Sequence, residues 1–413
     1  MIIHPPEITT EGDEISISAR IEYEQTVPDI PDRLWFRYPL SCADYLEKRC
    51  DVFAAGLVLV AMHLGEDMEL RGSISPKLLY GLQEYQRIFH RWLPRELYLI
   101  DIQYNELVPF ENRHKKKGVG LAFSGGIDSH YTLWANLPEN QPLRDYQVTH
   151  CFFQHGFDIS LLHDDDFESA RDSFSAALKP LGIKLVTCRT NLHAFSEGRI
   201  PWFFAHGPAL LAPSLGINAL FRIFYVAASS HYNDFRAIGS SPLTDHLLST
   251  ETLQFVHHGT SLTKPQKLEA IRDWPTVQRN LRVCTDQEQR LGVQNCSRCF
   301  KCTRTRINLK LLDSLDDFVT FNRRLTFWEK ARWVLKNDVV GPWAMEIIQL
   351  AVEKRKWHYL PWFYAAIPIS WVKLGIRKCM PRWLFEWLKE QLYPPHKNPF
   401  LYSTIVRHKS SLK

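Results

Sequence analysis

Residues 118–129 read Gly-Val-Gly-Leu-Ala-Phe-Ser-Gly-Gly-Ile-Asp-Ser. An apolar run of strand formers stops at Ser-Gly-Gly, and the residues from Asp128 through Thr132, Leu133 and Trp134 can begin an amphipathic helix. The pattern predicts a strand, a tight loop and a helix N-terminus. The first N–H groups of a helix have no intrahelical partner and lie at the positive end of its dipole, so such a loop suits an anion, phosphate above all. Gly125 and Gly126 would let the backbone come close to it, and Ser124 and Ser129 would add hydroxyl donors. A plain turn capped by Ser or Asp is the alternative; the apolar strand in front of the whole string favours a nucleotide.

No Lys follows the glycines, so this is not the Gly-x-x-x-x-Gly-Lys-[Ser/Thr] loop of kinases and GTPases. The string Ser124-Gly125-Gly126-Ile127-Asp128-Ser129 resembles the pyrophosphate loop of the ATP pyrophosphatase superfamily, which includes asparagine, GMP and NAD synthetases, tRNA thiolases and 7-cyano-7-deazaguanine synthase. The resemblance implies ATP cleaved between its α- and β-phosphates. The loop would hold the leaving pyrophosphate while a substrate oxygen attacks the α-phosphorus to form an adenylate.

From Gly118 onward strands and helices alternate, as in a parallel, doubly wound α/β sheet. Strands are predicted at 147–154, 183–188 and 235–238, helices at Asp164–Leu178 and as a pair across 202–232, and the segment 254–259 leads to a helix within 261–274. Ligands of such sheets collect beyond the strand ends, which makes Gln154, His155, Asp158, Arg189 and Asn191 candidates by position. The Gly239-Ser240-Ser241-Pro242 loop faces the same crevice in this reading, or is a simple turn. Lys267 is the candidate cation for pyrophosphate charge. His257 and His258 are adjacent, so on a strand they point to opposite faces and do not share a metal.

The 413-residue chain contains nine cysteines, four of them within 284–302. Nothing at the N-terminus resembles a secretory signal, and the longest apolar run, 52–62, is too short for a bilayer, so a cytoplasmic protein is expected and the cluster reads as a metal site. Cys284, Cys296, Cys299 and Cys302 would close a tetrahedral thiolate sphere, which suits structural Zn²⁺, with an iron–sulfur cluster as the alternative. The other cysteines are expected to be buried apolar residues.

A Ser-Gly-Gly-x-Asp-Ser loop joined to a late Cys…Cys-x-x-Cys-x-x-Cys resembles 7-cyano-7-deazaguanine synthase over about 118–312. In that family the four cysteines hold zinc, and ATP drives conversion of 7-carboxy-7-deazaguanine to the amide and then the nitrile, with ammonia as nitrogen donor. The flanking regions depart from the compact housekeeping enzyme. Larger relatives occur in bacterial antiphage-defence operons, where added regions suit another substrate, such as a protein.

Those flanks are an N-terminal α/β unit over 1–110 and a basic, aromatic-rich helical region over 323–413, on either side of the ATP-binding domain at 111–322. In the first, strands are predicted over 15–23, 34–38 and 97–104 and helices over 44–64 and Pro76–Trp92. His114 and the lysines at 115–117 read as a solvated linker. In the C-terminal region Trp328, Trp333, Trp343, Trp357, Trp362, Trp371, Trp383 and Trp387 fall among helical patterns at 327–335, 342–354 and 381–392, which suits a packed helical domain better than an RNA or membrane surface.

The resulting expectation is an AMP-forming ligase using ATP and Mg²⁺, with Ser124, Asp128 and Lys267 in catalysis. Ser124, Gly125, Gly126, Ile127, Asp128, Ser129, Gln154, Arg189, Gly239 and Ser240 would bind the nucleotide. Its partners would be a small carboxylate and ammonia or an amine, with a protein acceptor and a homodimer both compatible. tRNA thiolation and an ATP-sensing binding module are the competing readings.

Overall fold

The computed structural model describes residues 1–112, 117–234, 236–284, 286, 291–322, 325 and 342–361, with backbone alone at 342–344. The linker residues 114–116, Cys379, the helical patterns at 327–335 and 381–392, and Trp328, Trp333, Trp362, Trp371, Trp383 and Trp387 lie outside them. Two compact units emerge: Met1–Ser124 with Asp128–Ser261, and Gly125–Ile127 with the described residues from Leu262 onward. These boundaries differ from the expected ones at 110 and 322.

The first unit is built on one mixed, mostly parallel sheet. Its strands are β1 (Ile2–Ile3), β2 (Glu7–Glu11), β3 (Glu14–Glu22), β4 (Arg33–Pro39), β5 (Met68–Ile74), β6 (Ile102–Leu107), β7 (Gly118–Ala122), β8 (His150–His155), β9 (Lys184–Thr190), β10 (Phe221–Ala227) and β11 (Gln254–His258). They run β11-β10-β7-β8-β9-β4-β3-β1-β5-β6, with β2 on β3. The five strands β11-β10-β7-β8-β9 are parallel, with β7, the first of them in the chain, in the middle. The order therefore reverses between β7 and β10, as in a doubly wound sheet.

Phe123, on β7's C-terminal flank, and Phe153 of β8 meet Phe174 of α4 (Asp164–Leu178) at centroid distances of 5.1 Å. The opposite face carries Phe152, Phe221, Phe224 and Phe255 in edge-to-face contact. These join the main apolar core with α1 (Asp51–Leu64) and α6 (Trp202–Leu215). Each face of the sheet is thus covered, which is why its strands read as nearly continuous apolar runs.

Three expectations are corrected. The N-terminal α/β elements are not a separate sheet: β4 pairs antiparallel with β9 through Phe36↔Thr190 and Arg37↔Arg189, so both sets of strands share one ladder and one core. The fourth parallel strand is β10, not 235–238, and 202–232 is one helix followed by that strand rather than two helices. Phe221-Arg222-Ile223-Phe224-Tyr225-Val226-Ala227 is buried on both faces, so it lacks the alternation that marks a half-exposed strand. The helix expected over 44–64 is shorter: a 3₁₀ turn occupies Leu40–Tyr45 and α1 starts at Asp51.

Asp51 shows what the core asks of a buried charge. Arg49 Nε donates to its Oδ2 at 2.9 Å and Ser75 N to its Oδ1 at 2.9 Å, while the Arg49 guanidinium lies 3.8 Å over the Phe110 ring. Burial nonetheless pushes the Asp51 carboxyl up to about 6, against the pull of Arg49. A folded-state value above the ordinary 3.8 means that the fold holds this proton more tightly than the unfolded chain does. This contribution to stability is therefore full below about pH 4 and lost as pH rises through about 6. Asp51→Asn is expected to remove that part of the slope, read from urea midpoints at either end of the window.

The second unit is helical: α7 (Lys264–Ile271), α8 (Pro275–Asn280), α9 (Phe300–Leu311) and α10 (Pro342–Glu353). Thr263 and Gln266 form a reciprocal capping box at the start of α7, with Pro265 in its first turn. α10 packs on α7 and α9, and Lys354 pairs with Glu269. No helix among the described residues is long and apolar enough to cross a membrane.

Candidate nucleotide loop and metal centre

The loop sits where its sequence implies. β7 ends at Ala122, Ser124 is exposed, and α3 (Ile127–Ala135) begins three residues later. Gly125 takes φ +75°, a conformation that an L side chain rarely adopts, and this turns the chain from strand to helix within two residues. Its carbonyl accepts a 2.8 Å hydrogen bond from Arg282 N. Asp128 falls in the first turn of α3, and Ser129 is 3% exposed. The loop leaves the central strand beside the reversal between β7 and β10, the position at which open α/β sheets bind ligands.

The other candidates divide. Gln154, at the end of β8, donates from Nε2 to Leu210 O at 2.9 Å, which ties it to α6. Arg189 Nη2 donates to Asp164 Oδ1 at 2.7 Å, and its guanidinium faces the acidic first turn of α4. His155 is buried, stacks 4.4 Å from Phe167, and burial lowers its pKa. Asn191 bonds the backbone of Arg33 and Trp35 and so fastens β4 to β9. Asp158 is exposed, and Lys267, on α7, is 1% exposed.

Gly239 and Ser240 follow β10 by a longer path than expected. Gly239 N donates to Phe203 O at 2.9 Å, and Ser240 Oγ donates inward to Asp245 Oδ2 at 2.7 Å. The same carboxylate accepts from Ser241 N at 3.1 Å and from His257 Nδ1 at 2.8 Å. His258 diverges from it toward Thr132 Oγ1 at 3.2 Å, so the two imidazoles part as strand alternation requires. Asp245 and His257 lie twelve residues apart on a loop and a strand, and no spacing rule joins them.

In the second unit the four cysteines converge. Their sulfurs lie within 4.8 Å of one another, with Cys284 to Cys299 at 3.9 Å and Cys296 to Cys302 at 3.8 Å. A tetrahedral centre with bonds of ~2.3 Å places its sulfurs roughly 3.8 Å apart, so the donor set fits zinc in both chemistry and size. Ser297 at φ +57° bends the chain between Cys296 and Cys299. Arg298 N and Cys299 N donate to Cys296 Sγ, and Cys302 N donates to Cys299 Sγ at the start of α9.

Asn295 fastens the two ends of the cluster. Its Oδ1 accepts from Val283 N and Cys284 N, and its Nδ2 donates to Leu281 O and Thr320 Oγ1. Fully buried Arg306 donates from Nη1 to Ser297 O at 2.5 Å. Hydrogen bonding among the four draws Cys299 and Cys296 below the ordinary thiol range and pushes Cys284 and Cys302 above it, so two thiols give up their protons readily and a metal would displace those of the other two. Four cysteines so arranged could hold a metal ion such as zinc. Elsewhere Cys42, Cys50, Cys151 and Cys188 are buried, and burial raises each pKa.

Compared with protein-family models, with curated proteins and with solved structures, the chain matches none.

Proposed function

We propose that this chain is an ATP-dependent, AMP-forming ligase of the 7-cyano-7-deazaguanine synthase type, acting in the cytoplasm. It adenylates a carboxylate, 7-carboxy-7-deazaguanine or a related acid, and passes the acyl group to ammonia or another amine to give an amide, with AMP leaving. From the primary amide, a second ATP activates the amide oxygen, which departs with AMP to give the nitrile. A protein amine is the acceptor in an antiphage-defence version. The observation that carries this reading is the turn at Ser124–Ser129, with positive φ at Gly125, on the central strand beside the reversal of strand order. In the reading, Ser124, Ser129 and the loop N–H groups hold pyrophosphate, Asp128 helps to hold Mg²⁺, and Lys267 offsets charge. The work is positioning and charge neutralisation. The four-cysteine centre has no open position and holds structural zinc.

The test is elemental analysis of a sample that is also assayed for pyrophosphate release with 7-carboxy-7-deazaguanine, ATP, Mg²⁺ and ammonium. About one zinc per chain with carboxylate-dependent pyrophosphate is expected. ATP binding without turnover on any carboxylate would leave the sensing module standing instead. The four-thiolate set also suits an iron–sulfur cluster, so a brown protein absorbing in the visible would move the assignment to tRNA thiolation.

A further inference from the structure

Asp245 is a buried hub. Its carboxylate, 1% exposed, gathers Ser240 Oγ, Ser241 N and His257 Nδ1 within 3.1 Å. A carboxylate can only accept here, so Nδ1 is the protonated nitrogen of His257 and the imidazole is held in one orientation. The His257 side chain is 3% exposed. Two helices press the same loop. A Cβ on Gly207 of α6 would meet Gly239 O at 1.8 Å, and one on Gly81 of α2 (Pro76–Trp92) would meet Leu247 O at 1.7 Å. Only hydrogen at both positions allows that approach.

The place of this hub follows from connectivity. α6 runs from beyond the C-terminal end of β9 back toward the start of β10, so Phe203 and Gly207, in its first half, lie toward the C-terminal ends of the parallel strands. His257 is the penultimate residue of β11 and pairs with Val226 near the end of β10. The loop from Gly239 to Asp245 is thereby fixed at the edge from which the Ser-Gly-Gly turn emerges. Ser240, whose residue type suggests a hydroxyl for the ligand, spends its Oγ on Asp245.

We infer that Asp245 and His257 are positioning residues for nucleotide binding: they lock the Gly239–Ser241 backbone against the crevice, and Ser240 acts through Asp245 rather than through its own hydroxyl. This rests on the nucleotide reading given above. The loop then meets the nucleotide with main-chain groups, and its side chains are anchors.

The experiment measures ATP affinity by calorimetry, with Mg²⁺, on the full chain, alongside the melting temperature without ATP. His257→Phe is expected to raise the ATP Kd about tenfold, and Ser240→Ala by a smaller factor. His257→Asn, which keeps an amide N–H near the Nδ1 position, restores most of the affinity. The two losses are not independent, so Ser240→Ala made in the His257→Phe background adds less than about twofold. Unchanged Kd values beside a wild type that binds ATP would overturn the inference, as would losses that multiply. Lower melting temperatures with unaltered Kd would reduce the hub to a structural role and overturn it equally. A wild-type chain that binds no ATP sinks the nucleotide reading itself, a result distinct from the others.

Discussion

Cys299→Ser is expected to strip the metal from the second unit and lower the melting temperature of the chain by roughly 10 °C. The substitution isolates the metal because Cys299 is also the N-cap of α9, its Sγ accepting from Cys302 N. Serine is at least as good a cap, so the helix start survives and the loss belongs to coordination. Sulfur also lies 3.9 Å from Cys284 Sγ, a separation that a tetrahedral thiolate centre uses and a shorter, harder oxygen does not reproduce.

Zinc affinity should fall by at least on the order of 100-fold, the upper range seen when only outer-sphere partners are removed. A ligand present at about a thousand times its Kd contributes about 4 kcal/mol, and about 1 kcal/mol moves the midpoint of a chain this large by a few degrees. A chelator added to the wild type should reproduce the shift. Stoichiometric zinc in the variant would remove Cys299 from the ligand set, and a wild type indifferent to chelator would remove the metal assignment.

What the sequence reveals follows from where its constraints lie. The cysteine centre is legible because all four ligands lie within nineteen residues of chain, 284–302, and a metal fixes its own geometry. α2 can be read to the residue because Ser75 caps it and Pro76 opens it, and α4 because three aspartates fill its first turn. The strand β10 escapes because burial on both faces erases the period of two, and it follows a helix, α6, that is just as apolar. Neither half of the β4–β9 join carries a mark of the other: two residue pairs 154 and 152 positions apart unite what read as separate domains. The Asp245–His257 contact is of the same kind, set by packing and not by any local pattern.

The loop makes the sharper claim about chemistry. Ser124→Ala combined with Asp128→Asn is expected to lower pyrophosphate release by at least about 100-fold, since removing one preorganised donor from a site of developing charge already costs roughly 10²–10³ in rate. Ser124 is exposed, so the loss of its hydroxyl should move stability by no more than about 0.5 kcal/mol, and Asp128→Asn keeps the shape of the side chain. Gly125→Ala provides the complementary lesion: it leaves every side-chain donor in place but forces an L residue to φ +75° in a buried turn. If the backbone N–H groups cradle the phosphates, this variant should lose ATP affinity with its hydroxyls intact. Turnover unchanged in the first variant and affinity unchanged in the second would together show that the strand–loop–helix junction is a turn and nothing more.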